Sequence, residues 1–514
     1  MIRDFVKKNS NLIYYLLLGL TFLILLFTRL YKLGTLPTGL HIDEAASYYT
    51  AYCIGEYGVD RYLNSYPIYF NNFASGQSPM YVYLLALFFK IFPINVWTAR
   101  IPITLFSILN WFFGIRIGNI VFDKNKTANV LIGLLIAICP VFIFTSRFGL
   151  DCYLLLGMST VMLYFVVSLI QRQNNGTDGL KYYIICGCVV GVTLYTYAIS
   201  YIIIPLFLVF LFVLSIRSKR LTIKKALYFV IPLFIISLPL VLYQVVNIFN
   251  LPELKIGVFS ITHMGVYRGN EIGRLTFEKL RVEVNSIFIG DYLDSNSTPK
   301  FMNLYGISLI FAPIGFVYWV RQIIIDFKKK VISYESILLI WAMSCLICLS
   351  LTFANVNKTI GIYTVVAIMI VNGIMNVVKI FNNRAVVAVA IGILYLFWGC
   401  LFIKFYFTEY RCFFSNDITE GICFIESDDI LCRRNTWTAL SAIIVAAYDL
   451  PSPQEYSATE VDENYNNWKC HALPAIEDGC SYIVDDSFVE YSQELRNRGF
   501  SEEIFDHYSV FYKY

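Results

Sequence analysis

Two adjacent carboxylates, Asp43 and Glu44, stand with His41 in a short phrase just beyond the first long apolar run of the chain. Charged groups so close to hydrocarbon are costly unless they meet water, a partner or a substrate, which makes the pair a functional candidate. A carboxylate in such a place can take the proton from an attacking hydroxyl, and a second can orient it. Further along, SRFGLD over 146–151 returns a cation, Arg147, and a third acid, Asp151, to the same expected face. Arg147 and Asp151 either converge on Asp43 or form a turn pair that only caps two helices. Arg268, Arg274 and Lys358 are further cations on the expected outer face, each of which suits a solvated or lipid-headgroup role. His263 is a weaker candidate for lining the same site.

The elements that must position these groups are membrane helices. Of the 514 residues 58% are hydrophobic and 15% charged, and the mean hydropathy of +0.62 is far above that of a soluble domain. A hydrocarbon core of about 30 Å takes roughly 20 apolar residues, and about eleven runs approach that length. They fall at 12–27, 101–121, 128–144, 152–170, 182–197, 201–216, 226–242, 304–320, 337–352, 359–375 and 385–403. The first follows Arg3, Lys7 and Lys8 with no small-residue cleavage site behind it, so it reads as an uncleaved anchor with a cytoplasmic N-terminus. Alternate counting then puts Lys124, Lys126, Arg172, Lys181, Arg217, Lys224, Lys225, Lys328 to Lys330, Lys379 and Arg384 inside, which is the positive-inside pattern. The net charge of +4 therefore reports topology and not nucleic-acid binding.

The expected fold class is an all-α polytopic membrane protein with a small extracytoplasmic α/β domain at its C-terminus. Residues 1–403 form the membrane module, with outer loops at 29–100 and 243–303, and residues 404–514 form the outer domain. Within the first loop, Glu44 to Glu56 reads as a short helix with Asp43 at its start, where a carboxylate can accept backbone N–H bonds. Pro79 to Phe92 is apolar but too short to span, and Pro93 ends it. The tail reads as a strand to Asp486, a helix to Asn497 ended by Gly499, and a strand from Ile504. Its Cys412, Cys423, Cys432, Cys470 and Cys480 would face an oxidising exterior, with one left over from any pairing. The cysteines within apolar runs read as small buried hydrophobes.

Four stretches taken together resemble a known family. LPTGLHIDEA over 36–45, SPMYVYLLALFFK over 78–90, ARIP over 99–102 and SRFGLD over 146–151, followed by LYTYAISY over 194–201, are similar to bacterial integral-membrane glycosyltransferases of the GT-C superfamily. Within it they look like family 39, the branch of dolichyl-phosphate-mannose protein mannosyltransferases and lipid A aminoarabinose transferases. The resemblance covers the first 200 or so residues and fades in the tail. It implies inverting transfer of a sugar from a polyprenyl-phosphate donor to a glycan, lipid or protein acceptor on the outer face, with Asp43 as base and Glu44 and Asp151 as orienting acids. It also implies a phosphate contact from an Arg three residues after the base and from a Lys before the helix-opening proline. Those positions hold Ala46 and Ser78 here, so a phosphate would have to find other cations, for which Arg147, Arg268, Arg274 and Lys358 are the candidates. No nucleotide-sugar or metal-ligand pattern is apparent, and the expectation is metal-independent transfer without a cofactor. The competing reading is a transporter or flippase of lipid-linked glycans, which would place its ionisable groups near the bilayer midplane instead of at helix ends.

Overall fold

A computed structural model describes residues 10–410 apart from 38, 73–74, 265–272, 274–276, 291–296, 299 and 353–355. In the tail it describes 450–456, 482–485, 489–504 and 508–512. The chain is a mostly helical, polytopic membrane protein. Among the described residues nine helices are long and apolar enough to cross a membrane. They are α1 (Ser10–Leu30), α4 (Val96–Val121), α7 (Cys152–Asn174), α9 (Ser200–Arg217), α10 (Ile223–Ile248), α12 (Ser308–Lys329), α13 (Tyr334–Leu351), Asn357–Val378 including α15 (Tyr363–Val378), and α16 (Arg384–Thr408).

Two of the eleven expected spans are shorter helices. The run 128–144 is α5 (Lys126–Ile138) followed by α6 (Pro140–Phe144), and the run 182–197 is α8 (Leu180–Thr193), after which the chain turns to reach Ser200. The break at Pro140 has a direct cause. Proline has no N–H to offer the carbonyl four residues back, and its ring disfavours the helical conformation of the residue before it. Carbonyls at the end of α5 are thereby left without helical donors deep in apolar surroundings. Arg29 supplies them: its Nη2 donates to Ile136 O and its Nη1 to Ala137 O, both at 2.7 Å. The Tyr305 hydroxyl donates to Ile138 O at 2.6 Å. A buried arginine at the end of α1 is thus the partner of a broken helix.

Helix packing uses small residues where backbones must approach. At the crossing of α12 and α15, a Cβ on Gly315 would run into Met369 O and one on Gly373 into Phe311 O. Such contacts suit membrane helices, whose association gains little from the hydrophobic effect. Large apolar side chains on α1, α10 and α16, such as Leu16, Phe234 and Phe397, face outward as lipid-exposed groups would. One end of the bundle is basic, where Lys126 donates to Ser10 and Lys225 pairs with Asp178 at 2.7 Å.

The other end carries the long connections. α2 (Ile42–Tyr57) begins at a capping box, in which His41 accepts from a backbone N–H and Glu44 reaches back to the His41 N–H. It ends at Gly58, whose φ of 70° is a left-handed cap. A hairpin follows, β1 (Phe70–Asn72) with β2 (Ser75–Gln77), and leads through Ser78 into α3 (Pro79–Ile91). A second hairpin, β3 (Leu254–Ile256) with β4 (Phe259–Ile261), touches the first loop through a bridge between Ser260 and Pro67. α11 (Phe277–Phe288) and α14 (Val356–Thr359) complete this end.

In the tail, the short helix α17 (Pro453–Tyr456) precedes a three-stranded antiparallel sheet in the order β5 (Tyr482–Asp485), β7 (Tyr508–Tyr512), β6 (Ser501–Ile504). Between β5 and β6 lies α18 (Val489–Asn497), and Gly499 turns the chain at φ 82°. The final strand expected from Ile504 onward is β7, whereas β6, which ends at Ile504, is a strand that the sequence reading did not anticipate. The five tail cysteines lie outside the described residues. Arg29→Leu should destabilise the bundle, because each carbonyl left unpaired costs about 1–3 kcal/mol. A lowered melting temperature in detergent, with spectra otherwise unchanged, is the expected result.

Candidate active site

Consecutive helical residues point about 100° apart, and α2 uses that rotation to separate its two acids. Glu44 turns inward and is fully buried, whereas the Asp43 side chain is 48% exposed. Glu44 meets Arg100 in a two-pronged pair, Nε to Oε1 at 2.7 Å and Nη2 to Oε2 at 2.9 Å. Gly149 N donates to Oε1 at 2.8 Å. The remaining Arg100 donors reach Leu33 O at 3.0 Å, Pro37 O at 2.9 Å and Gly39 O at 2.6 Å. Glu44, expected as an orienting acid, is buried in this pair and positions the loop from which α2 starts.

Arg147 is likewise withdrawn. Its guanidinium is buried over the rings of Tyr406 and Phe407 and donates to the carbonyls of Thr28, Arg29, Tyr31 and Leu36. It fastens the exit of α1, and a phosphate has no access to it. Asp151 does meet the Asp43 region. Its Oδ2 accepts from Ser78 N at 2.9 Å, at the start of α3.

Asp43 Oδ1 accepts from the Asn72 amide at 3.0 Å, and Asp43 N donates to His41 Nδ1 at 3.1 Å. That ring nitrogen is an acceptor here, so at 4.0 Å it makes no ion pair with Asp43 Oδ2. The β1–β2 hairpin therefore joins the two acidic sites, holding Asp43 through Asn72 and delivering Ser78 N to Asp151.

Lys358 lies on α14, next to Asn357, whose Oδ1 accepts from the Tyr153 hydroxyl at 3.0 Å. Tyr153 is two residues from Asp151, so this lysine belongs to the same end of the bundle. His263 follows β4 by two residues, and its N–H donates to Glu253 at 3.1 Å. Arg268 and Arg274 lie outside the described residues. Among the described residues no group of three or more His, Cys, Asp or Glu side chains is arranged to hold a metal ion.

At the start of α3 is an open apolar cavity of about 440 Å³. It is lined by Ile68 and Phe259 from the two loop regions, Pro79, Met80, Tyr83 and Leu84 of α3, Val192 and Tyr195 at the end of α8, and Ile236 of α10. Its wall begins one residue after the Ser78 that Asp151 holds.

The residues that sequence reasoning passed over are Arg61, Asn72, Gly149 and Glu283. Glu283, on α11, is a buried carboxyl whose Oε2 accepts from the Ser350 hydroxyl at 3.0 Å. Burial pushes it up from 4.5 to about 7, against the Ser350 bond and the Lys279 charge. Nothing in its local sequence distinguishes it, because the burial comes from α13.

Comparisons with known proteins place the fold. Residues 76–243 match the family described as dolichyl-phosphate-mannose-protein mannosyltransferase. No curated protein matches the chain. Among solved structures, ArnT from Cupriavidus metallidurans bound to undecaprenyl phosphate aligns with a TM-score of 0.54 at 12% identity, over 97% of each chain. The oligosaccharyltransferase AglB from Archaeoglobus fulgidus, in complex with an inhibitory peptide and a dolichol-phosphate, also aligns at 0.54, with 14% identity over 88% of this chain. This chain spans 60% of the length of AglB. The protein is a membrane protein of the GT-C fold.

Two outcomes follow from the buried charges. Arg100→Met should cost about 3–5 kcal/mol, because it strands a buried carboxylate. Gly149→Ala should mimic it in part, since its Cβ would press on the Tyr81 hydroxyl and on Glu44. Denaturation of both variants in detergent checks this. For Glu283, a folded pKa above the unfolded one means that the folded protein holds the extra proton between 4.5 and about 7. Its stabilising contribution is complete below that window and is lost as pH rises through it. Glu283→Gln should melt with the parent near pH 5 and above it at pH 8.

Proposed function

We propose that this protein is an inverting glycosyltransferase that moves a sugar from a polyprenyl-phosphate donor to an acceptor at the outer face of the cytoplasmic membrane. The observation that carries the reading is the half-exposed carboxylate of Asp43, fixed at a helix start and joined by one hairpin to Asp151, beside an apolar cavity. The acceptor hydroxyl gives its proton to Asp43 as its oxygen bonds to the anomeric carbon. The bond from that carbon to the phosphate oxygen breaks on the opposite side, and the polyprenyl phosphate leaves with the electron pair. A phosphate is a stable leaving group, so the step needs a base and positive charge but no general acid.

The apolar lining of the cavity suits the first few units of an isoprenoid chain. Solved structures of the same fold with undecaprenyl phosphate and with a dolichol-phosphate support a lipid-linked donor. With Arg147 occupied by backbone carbonyls, Lys358 is the described cation best placed to meet the phosphate, and Asp151 orients the sugar or the acceptor. The basic end of the bundle faces the cytoplasm in this reading, which puts the long loops and the tail outside. The clustering of these acids at one end of the bundle favours transfer over a transport pathway, which would need ionisable groups at mid-depth.

The test is transfer from a panel of radiolabelled polyprenyl-phosphate sugars by purified protein in liposomes. Asp43→Asn should lower turnover by about 10²- to 10⁴-fold with folding intact, and Lys358→Ala should raise the donor KM. Full turnover by Asp43→Asn would remove the base. Labelled lipid crossing the bilayer with no donor consumed would establish a flippase instead.

A further inference from the structure

The carboxylate proposed as base has two oxygens, and the loop end of the bundle treats them differently. Asp43 Oδ1 is held by the Asn72 amide at 3.0 Å, whereas no side chain donates to Oδ2 among the described contacts. The reason Asn72 reaches that position begins with strand geometry. Alternate residues of β1 share a face, and Phe70 is fully buried, so Asn72 points inward with it and is 8% exposed. A buried amide must find partners for both of its ends. Its carbonyl end meets Arg61, whose Nη2 donates to Asn72 Oδ1 at 2.9 Å.

That contact decides which way the amide faces. A guanidinium only donates, so the atom of Asn72 turned toward Arg61 must be the oxygen, and its NH₂ group must then face Asp43. Reversing the amide would set donor against donor on one side and acceptor against acceptor on the other. Arg61 is itself held. It is 2% exposed, its guanidinium lies 5.1 Å from the Tyr62 ring centroid, and Nη2 also reaches the Tyr62 hydroxyl at 3.3 Å. The turn that carries it is closed by Asp60, whose Oδ1 accepts from Tyr62 N at 2.9 Å and Asn64 N at 2.8 Å. The hairpin that carries Asn72 is tied a second time to α2. Gln77 donates to the Ser47 hydroxyl, which donates to Asp43 O at 2.7 Å.

We infer that Asn72, with its amide orientation set by buried Arg61, is the positioning residue of Asp43, reserving Oδ2 for the acceptor hydroxyl. The inference rests on the Asp43-dependent transfer proposed above. Arg61 acts on Asp43 only through Asn72, and neither residue needs to touch the donor. An active-site group displaced by about 1 Å can lose on the order of 10²-fold in rate, which sets the scale of the effect.

The test is steady-state transfer in liposomes by Asn72→Ala, Arg61→Met, the double variant and Arg61→Lys, with melting temperatures recorded alongside. Asn72→Ala and Arg61→Met should each lower kcat by about 10- to 100-fold with the donor KM within about twofold of the parent. The double variant should be no slower than the slower single variant, as expected of residues in one chain of contacts. Arg61→Lys, which keeps a donor toward Asn72 Oδ1, should recover most of the rate. Parental kcat in Asn72→Ala, or losses that multiply in the double variant, would overturn the inference, as would a fall in kcat that tracks the fall in melting temperature across the set. Asp43→Asn is run in parallel. If it turns over at the parental rate, the function proposed above falls. If it is inactive while Asn72→Ala is not impaired, only the positioning role falls.

Discussion

The buried pair of Glu44 and Arg100 is the constraint on which the loop end of this protein depends. Two opposite charges removed from water are tolerable only when their mutual attraction is supplemented by hydrogen bonds to every remaining lone pair and proton. Here both Glu44 oxygens accept twice, and the arginine donors not directed to Glu44 end on backbone carbonyls of the segment 33–39. One pair thereby joins the exit of α1, the start of α2, the start of α4 and the link between α6 and α7. Asp43 occupies its place because its neighbour is anchored so firmly. With Glu44 turned inward, helical rotation leaves Asp43 turned outward.

Arginine recurs as the residue that reconciles irregular backbone with an apolar interior. Arg29, Arg100 and Arg147 are all fully buried, and each donates to carbonyls that no helix satisfies. Irregular backbone at such depth is tolerated only where protein groups replace the missing hydrogen bonds. A guanidinium with five donors in a fixed fork answers several carbonyls at once. The Pro140 break and the loop after α1 are the two places where this matters most. The loop after α1 is tied through Arg100 to Glu44, so the irregular backbone there is held by the same pair that anchors α2.

The charged residues of the loop end accordingly divide into buried and partly exposed groups. Glu44, Arg100 and Arg147 have no exposed atoms for a ligand and set the geometry of the loops. Asp43, Asp151 and Lys358 are only partly buried and remain on the wall of the loop end. The apolar cavity begins at Pro79, one residue after the Ser78 whose N–H donates to Asp151, so lipid-compatible surface and an acidic group meet at the start of α3.

The class of molecule was legible in the sequence because its causes are local. Apolar run length and loop charge depend only on neighbours along the chain and predicted a polytopic membrane protein, while the LPTGLHIDEA and SRFGLD phrases carried the resemblance to the GT-C superfamily and put Asp43 at a helix start. Proline positions were legible too, since Pro79 and Pro93 bound α3 as expected, although the break at Pro140 within an otherwise continuous apolar run passed unnoticed. The roles of individual charges were not legible. Glu44 and Asp43 are adjacent and chemically alike, and only the partner at Arg100, 56 residues away, makes one a buried anchor and leaves the other exposed. Arg147 looked like a phosphate ligand until four distant carbonyls claimed it. Asn72 and Arg61 carry no signal of their own, because an amide becomes a positioning group only when tertiary packing sets a cation on one side of it and a carboxylate on the other. Local chemistry determined which elements form and which residue types are present; long-range packing decided which of those residues face a ligand, since burial and partner choice depend on contacts between segments far apart in the chain.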